Sequence, residues 1–294
     1  WTYTFTDVGW LIREEDNNGN WVSLPRDYNT GKITDIYDNL GNHVSITIKS
    51  IQHGATTYYV ISSLAFGTKG ITYTYGANER LTSVTDPEGN VTNYTYDNLN
   101  NRLLSIINKR GITQVTNVYD SAGRVIRQTH ADGGVFNIDY TVVGGTVTET
   151  KETRPDGSTT VYRFNNAGYM AEITDAYGQK TISERAFGTN ELKSTTDKLG
   201  RKTTYTYDEN ANIASTTDPA GNITTYEYDL VFNKPTKITD ALGDITTMTY
   251  DSKGNLIETQ TPDSEITTIS YNPYGQAVSI TDALGNTLTL EYDS

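Results

Sequence analysis

Three histidines, His43, His53 and His130, are the only imidazoles in the 294 residues, and there is no cysteine. None of the three sits in a His-x-x-Glu-His type of spacing, and neither Gly-x-Ser-x-Gly nor a phosphate loop occurs, so nucleophilic and metallo-hydrolase chemistry have no support. The lack of thiols excludes disulfides, iron–sulfur clusters and thiolate zinc sites. Aspartate is the abundant oxygen donor. Calcium would use such oxygens, but the Gly-Gly-x-Gly-x-Asp period of calcium-loaded β-rolls is absent and each Asp stands where a turn needs one. The adjacent pair Glu14-Glu15 is read as solvated charge, and not as the two carboxylates of a glycosidase. Asn90, Asn93 and Asn222 open Asn-x-Thr triplets, which the repeat produces by itself. Trp1, Trp10 and Trp21 fall close together near the start and are the candidate surface aromatics, either for stacking a glycan or as a local packing cluster. We therefore expect no catalytic residue, no cofactor and no metal.

What remains is a repeat, and repeats decide architecture. An aromatic recurs at Tyr75, Tyr96, Tyr119, Tyr140, Phe164, Phe187, Tyr207, Tyr228, Tyr250, Tyr271 and Tyr292, at intervals of 20–24 residues. Between successive aromatics lies a second turn signal, as in Asp86-Pro-Glu-Gly-Asn90, Asp218-Pro-Ala-Gly-Asn222 and Asp282-Ala-Leu-Gly-Asn286. Asp at the first position can accept a local N–H, Pro pre-sets φ, and Gly takes a positive φ, which together define a β-turn. Two turns per unit, ten or eleven residues apart, is the spacing of short antiparallel strands.

The strands alternate. In Ile223-Thr-Thr-Tyr-Glu-Tyr228 one face carries Thr224, Tyr226 and Tyr228, and the other Ile223, Thr225 and Glu227. Gly, Pro, Asn and Thr recur too often for a helical stripe. Like residues of neighbouring units should then form tyrosine ladders, each aromatic pair contributing roughly 0.2–1 kcal/mol. Residues 71–294 read as the regular array. Residues 1–70 read as diverged repeats with an irregular insertion, in which Thr56–Ser62 is expected to be a better buried strand. Trp1 and Ser294 both fall inside the pattern, as in a fragment of a longer chain.

Composition limits the partners. Only 35% of residues are hydrophobic, with 22 tyrosines among them, so a thick aliphatic core is not expected. A formal charge of −13 argues against nucleic acid and anionic membranes, and no apolar run is long enough to span a bilayer. Roughly two dozen strands at ~4.8 Å make a ribbon about 115 Å wide, which must curl. With few aliphatics on either face, the expected all-β architecture is an antiparallel ribbon coiled into a hollow spiral shell or barrel.

The motifs Tyr119-Asp-Ser-Ala-Gly-Arg-Val125 and Tyr250-Asp-Ser-Lys-Gly-Asn-Leu256, each followed by Thr-Asp-Pro/Ala-x-Gly-Asn or its variants, resemble the YD repeat of the Rhs family. That family includes bacterial Rhs polymorphic toxins, wall-associated proteins, cocoon-forming components of insecticidal Tc toxins, and teneurins. The resemblance implies a β-ribbon spiralling into a hollow shell that in toxin members encloses a C-terminal effector. The expected function is a noncatalytic wall segment of a secreted or cell-surface protein, packed on neighbouring repeats of its own chain and around an effector polypeptide. The alternative is an adhesive or filament-forming surface module that binds glycans or copies of itself through ribbon edges.

Overall fold

The structure is a computed structural model and describes residues 1–76, 79–97 and 100–292. Every regular element in it is a strand, 27 in all, and no helix is present among the described residues. The strands form an antiparallel meander in which each pairs with its sequence neighbour, for example Lys202–Tyr207 with Ile213–Thr217 and that strand with Ile223–Tyr228. The chain divides into two units, Trp1–Asn137 and Ile138–Ser294.

The alternation read in the sequence is the alternation of exposure. Along Ile223–Tyr228, Thr224, Tyr226 and Tyr228 are half-buried while Ile223, Thr225 and Glu227 face solvent. Lys202–Tyr207 and Ile266–Tyr271 repeat the pattern. Among the described residues no hydrophobic side chain is fully buried, and the buried polar side chains are Asn117, Thr160 and Ser194. A single sheet without a covering layer cannot dehydrate large side chains completely, so hydrogen bonding between strands carries a larger share of its cohesion than in a layered domain.

Two expectations change. Thr56–Phe66 is a strand, but its first half is exposed, with Tyr58, Tyr59 and Ile61 in solvent. It pairs with His43–His53 in a hairpin of two eleven-residue strands. The neighbours reach only its base: Asp35–Asp38 pairs with residues 43–45, and Lys69–Tyr75 with residues 63–66. β-Branched residues therefore mark a long hairpin arm here, not burial. The second change is Phe187, which lies in a turn and is fully exposed. The strand position it was assigned is occupied by Arg185, which pairs with Leu192 as Tyr207 pairs with Ile213.

Candidate functional site

Two recurring hydrogen-bonded devices organise the chain. The first is at the Asp turns. Gly221 N–H donates to Asp218 C=O (3.0 Å) and Asp218 N–H to Asn222 C=O (2.9 Å), with Gly221 at φ +90°. This is a three-residue hairpin loop in which the last loop residue is left-handed, the conformation glycine takes without a Cβ clash. The Asp218 carboxylate closes it: Oδ1 accepts from the N–H groups of Ala220 (2.8 Å) and Asn222 (2.9 Å), and Oδ2 from Asn222 Nδ2 (2.8 Å). The same clamp joins Asp86 to Asn90, Asp208 to Asn212, Asp251 to Asn255 and Asp282 to Asn286.

Arginine replaces the Asn at Asp120–Arg124 and Asp197–Arg201. The Asn222 side chain, followed by the backbone N–H donors, holds the Asp218 carboxyl below its ordinary value. At Asp97 desolvation opposes ionisation, but the Arg102 side chain at 2.7 Å and the N–H groups of Asn100 and Arg102 outweigh it, lowering the carboxyl to about 2. These oxygens are occupied by N–H donors. No group of three His, Asp or Glu side chains converges as a metal-ligand set among the described residues.

The second device uses the repeat tyrosines. Tyr207 pairs with Ile213, whereas the preceding Thr206 pairs with Ser215, so Ala214 is an extra residue and the strand bulges. The next unit's Tyr228 donates its hydroxyl to the C=O of that same Ile213 (3.0 Å). Tyr228 in turn pairs with Pro235 at a bulge, a place that tolerates a residue without an N–H, and Tyr250 donates to Pro235 C=O (2.7 Å). Tyr271 to Leu256 and Tyr292 to Ala277 continue the series, and Tyr207 donates to Leu192. In the first unit Tyr75, Tyr96 and Tyr119 donate to Ile61, Leu81 and Leu103. Each tyrosine thus staples the bulge of the preceding unit from the strand beside it.

These tyrosines reach the preceding unit through their hydroxyls. Tyr226, two residues before Tyr228, sits at 3.5 Å from the Thr216 hydroxyl. Cations lie over several of the rings: Arg80 over Tyr96, Arg102 over Tyr119 and Lys234 over Tyr250, at 4.8–5.7 Å from the centroids. Tyr140 lies in the strand Val135–Val143. Where Phe164 and Arg185 take the tyrosine position, no hydroxyl is available. An ion-pair row on Arg163, joining Glu149 and Glu172, with Lys180 also on Glu172, runs across the strands there.

The remaining candidate residues are dispersed. Trp1 is exposed. Trp21 is half-buried under the Arg13 guanidinium (4.5 Å). Trp10 lies beyond the other end of Leu11–Glu15, over Gly31, where a Cβ would come within 2.4 Å of its ring. Proximity in sequence therefore does not make one tryptophan surface. His43 stacks on Tyr37 and contacts Asp35 (2.8 Å), and His130 contacts Gln128 (2.8 Å). The side chain of His53 lies outside the described residues. Glu15 pairs with Arg13.

The bulged, stapled meander defines a class, a β-ribbon of Tyr-Asp repeats, and comparison with known proteins agrees with it. Residues 189–294 match the family model of the Teneurin YD-shell, and residues 75–113 match the RHS Repeat. These two stretches of the chain are thus similar to the YD-shell and RHS-repeat families. Over 165 residues it is 27% identical to double-stranded DNA deaminase toxin A of Burkholderia cenocepacia (strain H111), covering 54% of this chain and 11% of that protein. The crystal structure of TcdB2-TccC3 aligns with a TM-score of 0.57 at 14% identity, over 99% of this chain and 19% of that one. The Photorhabdus luminescens Tc holotoxin pore aligns with a TM-score of 0.59 at 14% identity, again over 99% and 19%. At that identity the likeness is one of fold. The chain thus spans a small part of the length of each relative. No helix is long and apolar enough to cross a membrane among the described residues.

Proposed function

We propose that this chain is a noncatalytic wall segment of a secreted β-shell that encloses a toxin or effector polypeptide. The observation that carries this reading is the combination of a long, stapled, single-layer ribbon with no fully buried hydrophobic side chain among the described residues. Such a sheet gains little from collapsing into a compact core, and its many small, equal, nearest-neighbour terms suit an extended partition. The fold shared with TcdB2-TccC3 and the toxin name of the Burkholderia relative support the same direction. In this reading the tyrosine staples and Asp clamps are the working parts, because they set how each strand meets the next.

The test is made on the full-length gene product. Electron micrographs should show closed hollow particles, and limited proteolysis should leave a non-repeat segment intact until the shell is denatured. Open fibres, or a non-repeat segment digested as fast as free peptide, would defeat the proposal. Glycan-array binding that is lost on Trp1→Ala would favour an adhesive role instead.

A further inference from the structure

The hairpin 43–66 is longer than the repeat requires. Its strands have eleven residues each, where Lys202–Tyr207, Ile213–Thr217 and Ile223–Tyr228 have six, five and six. Flanking strands pair with it only as far as residue 45 on one side and residue 63 on the other, so residues 47–53 and 56–62, about 23 Å of each strand, stand beyond the ribbon. Both faces of this arm carry apolar side chains: Ile48, Tyr59 and Ile61 share one, and Ile51, Tyr58 and Val60 the other.

The two edges of the arm differ. Ile46 N–H donates to Thr34 C=O (2.7 Å), which shows that the even-numbered residues of His43–His53 point their backbone groups away from the hairpin partner. Ile48, Ser50 and Gln52 therefore present N–H and C=O outward, with no strand facing them among the described residues. The extra residue at the hairpin's bulge, Ser62, belongs to the other strand, so this edge runs unbroken. On that other strand the outward carbonyl of Ile61 already accepts the Tyr75 hydroxyl (2.8 Å). Sheet edges are ordinarily blunted by Pro, by bulges or by several charges, whereas residues 47–52 carry a single lysine, Lys49. Thr2–Phe5 and Thr287–Thr289 also pair on one side only among the described residues, but over four and three residues.

We propose that the open edge of 47–52 is closed by the same edge of a second copy, the two arms forming a four-stranded antiparallel sheet about a twofold axis at Ser50. The edge itself selects that register. With Ser50 on Ser50, Ile48 meets Gln52 of the second copy, and all three outward residues of each arm exchange bonds. An axis at residue 49 sets the two lysines directly against each other, and an axis at 51 leaves Ile48 facing the turn at Gly54. Charge favours the same occupant. Lys49 is the only formally charged residue in 44–66, although the whole chain carries −13. The arms hold the acidic remainder of the two copies roughly 23 Å apart, well beyond a Debye length of about 8 Å, so that repulsion is screened. A second copy thus supplies an edge of matching length and parity with no like charges face to face.

The test uses the full chain. Sedimentation over a concentration series should show the monomer giving way to a dimer, and the Ser50 amide, which exchanges fast in dilute solution where the arm stands alone, should slow in step. Ser50→Pro removes the two bonds at the axis and leaves the inward bonds of the hairpin intact, so it should weaken the dimer roughly thirtyfold. Ser50 is exposed, and S50K or S50E alone places like charges at the axis and should weaken pairing severalfold. An equimolar mixture of S50K and S50E should pair at least as tightly as the parent chain, which also shows that both variants fold. The proposal is overturned if the chain stays monomeric at every concentration, which would leave the edge to a strand of another protein. It is equally overturned if Ser50→Pro leaves a dimer unchanged, which would assign the contact to a terminal strand, or if the mixture pairs no better than S50K alone.

Discussion

Tyrosine recurs in this chain where phenylalanine would serve packing equally well, and the hydroxyl is the reason. Tyr228 donates to the carbonyl of Ile213, which lies at a strand bulge and is part-buried. Removing the donor leaves that carbonyl without its partner. Tyr228→Phe should therefore lower stability by about 1 kcal/mol, whereas Tyr226→Phe, whose hydroxyl contact is 3.5 Å long, should change it by only a few tenths. Urea midpoints of the two variants at equal m-value measure the difference. Equal losses would mean that the rings, not the hydroxyls, hold the units together.

Between strands, each element depends on a staple and a clamp. The interruption at Arg185 leaves its Nε buried without a hydrogen-bond partner, although the guanidinium reaches Asn190 C=O (2.9 Å) and lies over Tyr169. Residue 185 is fifteen positions after Met170, the separation at which Tyr207, Tyr228, Tyr250 and Tyr271 find their carbonyls. Arg185→Tyr should add a staple and raise stability by about 1 kcal/mol, read as a higher thermal midpoint.

The clamps set the acid response. Asp97 titrates at about 2 when folded, held there against desolvation chiefly by Arg102, while the unfolded carboxyl titrates near ~3.9. Between those values the unfolded chain binds more protons than the folded one, so this contribution is complete above about pH 4 and is lost as pH falls toward 2. Arg102→Met should move the Asp97 midpoint upward in an NMR titration of its carboxyl carbon. An unchanged midpoint would assign the depression to the Asn100 and Arg102 amides.

A chain of nearest-neighbour strands without a common core opens locally more readily than it unfolds at once. The long hairpin 43–66 is the extreme case, since among the described residues its outer part has no flanking strand on either side. A two-stranded ribbon in water is marginal. Hydrogen exchange should therefore find the amides of Ser50, Ile51, Tyr58 and Tyr59 exchanging at least tenfold faster than those of Thr224 and Tyr226 in their paired interior. Comparable protection would mean that another surface covers the arm.

Strand identity, alternation and turn position were legible along the chain because they are local. Asp218, Gly221 and Asn222 lie within five residues of one another, and their bonds close inside that span. The same locality made the Thr224, Tyr226 and Tyr228 face readable from a period of two. The partners of the tyrosines were not legible, because each hydroxyl reaches a carbonyl about fifteen residues back, on a strand to which its own strand end is not paired in register. Only the bulges, where one strand gains a residue on its neighbour, bring that carbonyl within reach. Register likewise replaced Phe187 with Arg185, separated Trp10 from Trp21 along the length of a strand, and left Tyr58 and Tyr59 on an uncovered arm. Sequence spacing fixes what is near along the chain, and pairing between strands decides what is near in space.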